Sequence, residues 1–455
     1  MTEFDPSLSA PNTLLDLLSR AKTGEMDYVL GVLQPEQYQL ATLPSDSNLV
    51  IDGSPGSGKT VIAVHRAGFL THDERDRGSR ERVLFVGPSS RWVRHISRAQ
   101  GSVVPGDLTV LSMGQLEMKL AAASAFDDHP LDTTLELPFL QSPHLWKLIS
   151  KSSQELQSIG AFQKSGLPEK EMSKGEKKKT VYSKIKKRDP ALGDLCPDPE
   201  LWNLLSQLPS QKSAFEDVRL NGYIAAIGQS LDRDQAWRFD HIIVDEGQEL
   251  SYLQWGLLAS CLNRKGAFTI FGDLNQRFSE TGITDWSEIF EFLEIGDPVI
   301  RNNRLIFRST RQIIEFANSF ARKPGEDFVF LREGDDPLSI DFTDNASAAV
   351  VKTVKTFLID TNYRSCAVFA IDREPIIEGL RRAGWSEGRE HSELIKGQLQ
   401  ISVLNPRDAR GLEFDAVIVV NPKQIQSENG LGQIYTCLTR AANRLYLLEP
   451  AGSAK

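Results

Sequence analysis

The 455-residue sequence predicts an α/β protein made of two tandem parallel-sheet units, the first interrupted by a helical insertion. Three observations support this. The stretch Gly53-Ser54-Pro55-Gly56-Ser57-Gly58-Lys59-Thr60 stands between an apolar run, Leu49-Val50-Ile51, and an amphipathic run, Val61-Ile62-Ala63-Val64, which is the strand, loop and helix setting of a phosphate cradle. Short apolar strand signals alternate with helical stretches, the mark of parallel sheets with helices on both faces. Between about 114 and 237 that alternation stops, and the chain becomes helix-like, broken by prolines and rich in lysine.

Taken in order, residues 1–30 form a polar, Pro-punctuated lead-in with one short apolar signal at Leu14-Leu15-Asp16-Leu17-Leu18. The first unit is expected over 31–295. Its strands are Leu49-Val50-Ile51, Val83-Leu84-Phe85-Val86, Leu108-Thr109-Val110-Leu111, the run from Phe239 to Val244, and Phe268-Thr269-Ile270-Phe271, with a helix over 91–96. The second unit is expected over 296–455. Its strands are Val299-Ile300, Leu338-Ser339-Ile340-Asp341-Phe342, Cys366-Ala367-Val368-Phe369-Ala370, Leu399-Gln400-Ile401-Ser402-Val403, Ala416-Val417-Ile418-Val419-Val420 and Arg444-Leu445-Tyr446-Leu447-Leu448.

Apolar residues make up 40% and charged residues 25%, the usage of a folded chain. No stretch offers eighteen consecutive apolar residues, and the beginning, Met1-Thr2-Glu3-Phe4-Asp5, lacks the regions of a signal peptide, so a cytoplasmic protein is expected. Cys196, Cys261, Cys366 and Cys437 are far apart with no C-x-x-C pair, which points away from a zinc site or a disulfide framework and toward buried small hydrophobes. The net charge of -9 argues against coating nucleic acid through bulk positive charge. A local basic run occupies 164–188; it reads either as a solvated face or as a contact for a phosphate backbone.

The loop glycines turn backbone N–H groups toward phosphate oxygens, Lys59 reaches the β/γ-phosphates, and the Thr60 hydroxyl can ligate Mg²⁺. An apolar strand ending in Asp245-Glu246 is the natural partner of such a loop. A carboxylate at that edge sits where ligands bind in open α/β sheets, so Asp245 is assigned to the metal and Glu246 to orienting and deprotonating the attacking water. Gln248 and Gln276 place amides at two more strand ends, Gln276 as a γ-phosphate sensor. Arg308 and Arg440 lie in the second unit, and arginines delivered from there would neutralise phosphate charge only when the units close.

These residues also carry a resemblance. Gln37, the loop 53–60, Asp245-Glu246-Gly247-Gln248, Gly272-Asp273-Leu274-Asn275-Gln276, Phe307-Arg308-Ser309-Thr310, Gly411-Leu412-Glu413-Phe414-Asp415 and Tyr435-Thr436-Cys437-Leu438-Thr439-Arg440-Ala441 occur in the order and type of UvrD/Rep-like superfamily 1 helicases. Within that group, Val32-Leu33-Gln34-Pro35-Glu36-Gln37 and Val83-Leu84-Phe85-Val86-Gly87-Pro88-Ser89 look most like the HelD/helicase IV-like branch, in a shortened form. The resemblance implies two RecA-like P-loop NTPase domains binding ATP and Mg²⁺ in the cleft between them. It implies that Gln37 reads the adenine edge, Phe307 stacks on the adenine, and Glu413 lies near the ribose. Lys59 and Thr60 hold phosphate and metal, Asp245 and Glu246 act as metal ligand and base, and Arg308 and Arg440 resemble arginine fingers.

The implied activity is ATP-driven 3′-to-5′ movement on single-stranded DNA, in repair or genome defence. Two departures stand out. The family's fifth motif, Thr-x-His-x-Ala-Lys-Gly, is here Asn405-Pro406-Arg407-Asp408-Ala409-Arg410-Gly411, and no aromatic follows Gln276 at the usual offset, although Phe278 and Trp286 are nearby. The segment 318–399 is too short for the accessory subdomain of many relatives, only about thirty residues precede Gln34 where HelD-like proteins carry a coiled-coil arm, and no nuclease-like carboxylate cluster follows Arg440. The competing expectation is a remodelling ATPase that closes on a protein partner, such as RNA polymerase or a nuclease subunit, without unwinding; a nucleotide-switched regulatory module is the third.

Overall fold

The computed structural model describes residues 33–71, 81–90, 92–94, 96, 108–121, 137–163, 173–231, 235–277, 283–322, 324, 328–343, 345–358, 362–388, 392–409 and 411–451. The lead-in, the charged linker 73–78, Phe278 and Arg410 lie outside them. No described helix is long and apolar enough to cross a membrane.

The first sheet has six strands, all parallel: β1 (Leu49–Gly53), β2 (Val83–Gly87), β3 (Leu108–Ser112), β4 (Phe239–Val244), β5 (Leu262–Gly272) and β6 (Val299–Asn303), in the order β3-β2-β4-β5-β1-β6. Covered on both faces, such strands read as unbroken apolar runs. Their side chains still alternate between layers: Val50 joins the core with Leu84, Val244, Trp255 and Ile270, while Leu49 and Ile51 join the opposite core with Ile62, Val64, Phe85 and Phe271. The helix Lys59–Thr71 buries its Val61, Ile62, Val64 and Leu70 in that second layer. Its Arg66, with no exposed surface, donates to the carbonyls of Ala41, Leu43 and Pro44, tying the helix Pro35–Ala41 and its exit to the loop's own helix.

The expected strand Val299-Ile300 is real but belongs to the first sheet, not the second. It pairs in parallel with β1 from Leu49↔Val299 to Gly53↔Asn303. As a half-exposed edge strand it gives a weak apolar signal, and Asn48 fixes it by donating to the Gly296 carbonyl and accepting from Phe268 N–H. The second sheet therefore begins later than 296.

Helices Pro143–Gln163, Lys174–Lys186, Pro199–Ser206 and Asn221–Leu231 form the insertion around a core of its own, which includes Leu145, Tyr182, Trp202 and Tyr223. Ser173 and Glu176 close a capping box at the start of the lysine-rich helix, and Asp198 caps the helix that starts at Pro199. Asn221–Leu231 is buried along nearly its whole length and is the axis of the insertion. Residues 164–172 of the basic run lie outside the described residues, and in the rest of it four cations are used internally. Lys178 is buried, Lys184 pairs with Glu155 at 3.0 Å, Lys186 donates to the Leu208 and Pro209 carbonyls, and Arg188 lies over the Trp202 ring.

The second sheet holds β9 (Leu338–Phe342), β10 (Ser365–Phe369), β11 (Ser386–Glu387), β12 (Glu393–Lys396), β13 (Leu399–Leu404), β14 (Phe414–Val420) and β15 (Ala441–Pro450), in the order β11-β12-β13-β10-β14-β15-β9. Five of these run parallel; β11 and β12 extend the edge as an antiparallel hairpin, too short and polar to read from sequence. Apolar layers lie on both faces. Between the sheets, β7 (Leu305–Ile306) and β8 (Val329–Phe330) make a small parallel pair. The molecule is thus a P-loop NTPase of two RecA-like α/β sheets, and all four cysteines are buried.

Candidate active site between the sheets

β1 delivers the loop at its C-terminal end. Gly56 (φ 76°) and Gly58 (φ 79°) adopt the left-handed backbone that glycine tolerates. A Cβ on Gly58 would also stand 2.7 Å from the Phe307 ring and 2.8 Å from Gln37 Nε2, so Gln37 and Phe307 converge on one flank of the loop. Gln37 is held there by donating to the Ser57 carbonyl at 3.1 Å and accepting from Gln34 N–H at 3.1 Å. Lys59 Nζ folds over the loop and donates to the Gly53 and Ser54 carbonyls at 2.5 and 3.3 Å.

On the other flank, Thr60 Oγ1 donates to Asp245 Oδ2 at 2.8 Å, and Glu246 N–H donates to Asp245 Oδ1 at 3.1 Å. Burial, reinforced by the neighbouring Glu246 carboxylate, pushes the Asp245 carboxyl up to about 7. Glu246 sits at φ 57°, an uncommon backbone for a non-glycine residue, and its carboxylate accepts from Gln248 Nε2 at 2.7 Å. Gln248 in turn accepts from Asp273 N–H at 3.1 Å, so it links the ends of β4 and β5. Asp273, its carboxyl raised to about 6 mainly by burial, accepts from Gln276 Nε2 at 3.1 Å.

The second sheet closes the ring. Arg440, at the end of the helix Leu431–Thr439, donates to the Thr436 and Leu412 carbonyls at 3.2 Å each and to Gln276 Oε1 across the cleft. Arg308, just ahead of the helix Arg311–Asn318, pairs with Glu413. Burial first, and then the Arg440 charge beside it, push the Arg308 guanidinium down to about 9.

Every residue singled out in sequence for the nucleotide, the metal or the arginine roles therefore lies on or beside this cleft. Glu413 is there through Arg308. Three further residues carry contacts that motif reading missed. Trp92 Nε1 donates to Asp245 Oδ2 at 3.1 Å, Asn303 Nδ2 donates to the Ser57 carbonyl at 2.8 Å, and the buried Tyr435 is hydrogen-bonded to Ser54 from the second sheet. Trp92 and Asn303 have no motif neighbours to announce them; Tyr435 lies inside a motif, but the motif alone assigns it no contact. Trp286, one of the two aromatics near Gln276, is a core residue packed over Gly272. In the altered fifth motif, Arg407 is exposed and donates to Asn429 Oδ1 at 3.3 Å.

The donor set fits ATP with Mg²⁺. A glycine cradle with a lysine ammonium at its mouth suits phosphates, and the Thr60 hydroxyl beside a carboxylate offers the hard oxygens that Mg²⁺ selects.

Residues 37–281, more than half of the chain, match the family described as AAA domain. The chain belongs to that family. Residues 401–448 match the UvrD-like helicase C-terminal domain, so an AAA-domain match is followed in this chain by a UvrD-like helicase C-terminal match. No curated protein matches it. Among solved structures, the PRRSV helicase overlays 92% of this chain at 10% identity and a TM-score of 0.38, too loose to bear on function, and this chain spans 55% of that one.

Proposed function

We propose that the protein is an ATP-dependent DNA helicase or translocase moving 3′-to-5′ along single-stranded DNA, in repair or genome defence, with the shortened HelD/helicase IV-like organisation. One observation carries this reading: Arg440 of the second sheet reaches Gln276 of the first, so the site is complete only when both sheets face each other. A hydrolysis site shared in this way links turnover to domain closure, as a motor requires.

Bound ATP and Mg²⁺ supply the phosphoanhydride and the charge that neutralises it. Lys59 would leave the Gly53 and Ser54 carbonyls for the β/γ-phosphates, and Thr60 and Asp245 would hold the metal. Glu246 orients the attacking water and takes its proton; Gln248 holds that carboxylate in place. Gln276 senses the γ-phosphate and passes its state to Arg440. Arg308 exchanges its Glu413 partner for phosphate oxygens, which frees Glu413 toward the ribose. Gln37 and Phe307 bracket the adenine on the loop's far flank.

The direction is tested by streptavidin displacement from end-biotinylated single strands. ATP-dependent release from the 5′ end alone is expected. Release from neither end, with hydrolysis stimulated by a protein such as RNA polymerase or a nuclease subunit, would replace this reading with partner remodelling.

A further inference from the structure

The described residues hold a second cavity, of about 350 Å³, at the seam between the insertion and the first sheet. It is far from the cleft along the sheet. The helix Tyr252–Ser260 leaves the catalytic edge after Gln248 and reaches the cavity at Ser260, just before β5 begins at the opposite edge. Trp146, Ser150, Gln154 and Gln157 line it from one stripe of the helix Pro143–Gln163, at spacings of four, four and three residues, which place them on one face. Gln229 and Ser230 face them from the insertion's axial helix.

Its chemistry is specific. Among the described residues every side chain that lines it is uncharged, a lining that suits a neutral polar ligand. Trp146 lies against the backbone of Gly256, where a Cβ would stand 2.3 Å from the ring, and still contributes to the cavity wall. Gln229 is 3% exposed, and its Oε1 has no hydrogen-bond partner. An orphaned buried amide oxygen costs free energy until a ligand donor reaches it. Gln157 is already oriented by its donation to the Leu231 carbonyl at 2.5 Å, which leaves its own oxygen as an acceptor. The exposed Lys147 and Lys151 flank the stripe on the same helix.

We infer that this cavity binds a nucleobase, stacked on or against Trp146 and read through its edge by the amides of Gln154, Gln157 and Gln229. A flat neutral heterocycle with adjacent donors and acceptors is what one indole and several amides recognise. The base is either part of a single strand, whose phosphates then meet Lys147 and Lys151, or a free nucleoside. The inference does not depend on the motor reading, because it concerns a different edge of the sheet.

The test is photo-crosslinking of the full chain, without ATP, to a 4-thiothymidine-containing oligonucleotide and, separately, to free 4-thiothymidine, with adducts mapped by mass spectrometry. Adducts within Pro143–Gln163 from the oligonucleotide assign the base to a strand; adducts there from the nucleoside alone assign a free ligand. No adduct in that helix from either probe overturns the site, even if single-stranded DNA still stimulates hydrolysis. Gln229→Leu, which keeps the shape and removes the amide, should weaken capture of the effective probe about tenfold. Unchanged capture in Gln229→Leu would overturn the edge reading, and basal hydrolysis in that variant serves as the folding control.

Discussion

Glu117→Gln should stabilise the protein at neutral and alkaline pH and leave it unchanged in mild acid. Glu117 lies in the helix Met113–Ala121, where the insertion meets the first sheet; Gln254 Nε2 donates to its Oε1 at 2.9 Å, and a Cβ on Gly222 would stand 2.7 Å from the same oxygen. Desolvation, only partly offset by the Gln254 hydrogen bond, raises the carboxyl from 4.5 to about 7. The folded-state pKa is thus above the unfolded one. The stability this group contributes is complete below pH 4.5 and is lost as pH rises to about 7. A shift of 7 − 4.5 = 2.5 units corresponds to a ceiling of about 3 kcal/mol. Glu117 retains some solvent contact despite the protein atoms around it, so screening lowers the expectation to about 1–3 kcal/mol. Glutamine keeps the acceptor for Gln254 and has no charge to desolvate. Urea unfolding at pH 4 and pH 8 should give similar midpoints for the two proteins at pH 4, where the carboxyl is protonated folded and mostly protonated unfolded, and a higher midpoint for the variant at pH 8. Parallel pH profiles would refute the argument.

Three substitutions in the cleft have distinct expected outcomes. Lys59→Ala should abolish hydrolysis with circular dichroism unchanged, since the hydrogen bonds it loses run to the Gly53 and Ser54 carbonyls at the mouth of the loop; normal turnover would remove the loop from the chemistry. Gly58→Ala must take a left-handed φ of 79° and push against Phe307 and Gln37, so nucleotide affinity measured by calorimetry should fall by at least about tenfold, while wild-type affinity would mean that this flank does not receive the base. Arg440→Ala should leave nucleotide binding measurable and cut turnover about a thousandfold, as loss of an arginine finger does. Unchanged turnover would make Arg440 only a link to Gln276.

The parts of the fold set by local physics could be read from the chain. The loop, the strand ending in Asp245-Glu246 and the buried strands of both sheets show themselves because parallel strands covered on both faces must be continuous apolar runs. The edges could not be read in this way. Val299–Asn303 is half solvated, and only its pairing with β1, some 250 residues earlier, assigns it to the first sheet. The 164–188 run shows the same limit. A count of lysines cannot reveal that Lys178 is buried or that Lys184 and Lys186 are engaged within the insertion. In the cleft, Trp92 and Asn303 reach Asp245 and Ser57 by tertiary packing alone, and nothing in their local sequence signals it.

The most direct measurement is the steady-state ATPase rate with and without single-stranded DNA, with Glu246→Gln as the inactive control. A large stimulation by the strand, absent in the control, is what a nucleic-acid motor with a shared cleft predicts. A rate indifferent to single-stranded DNA would contradict that account.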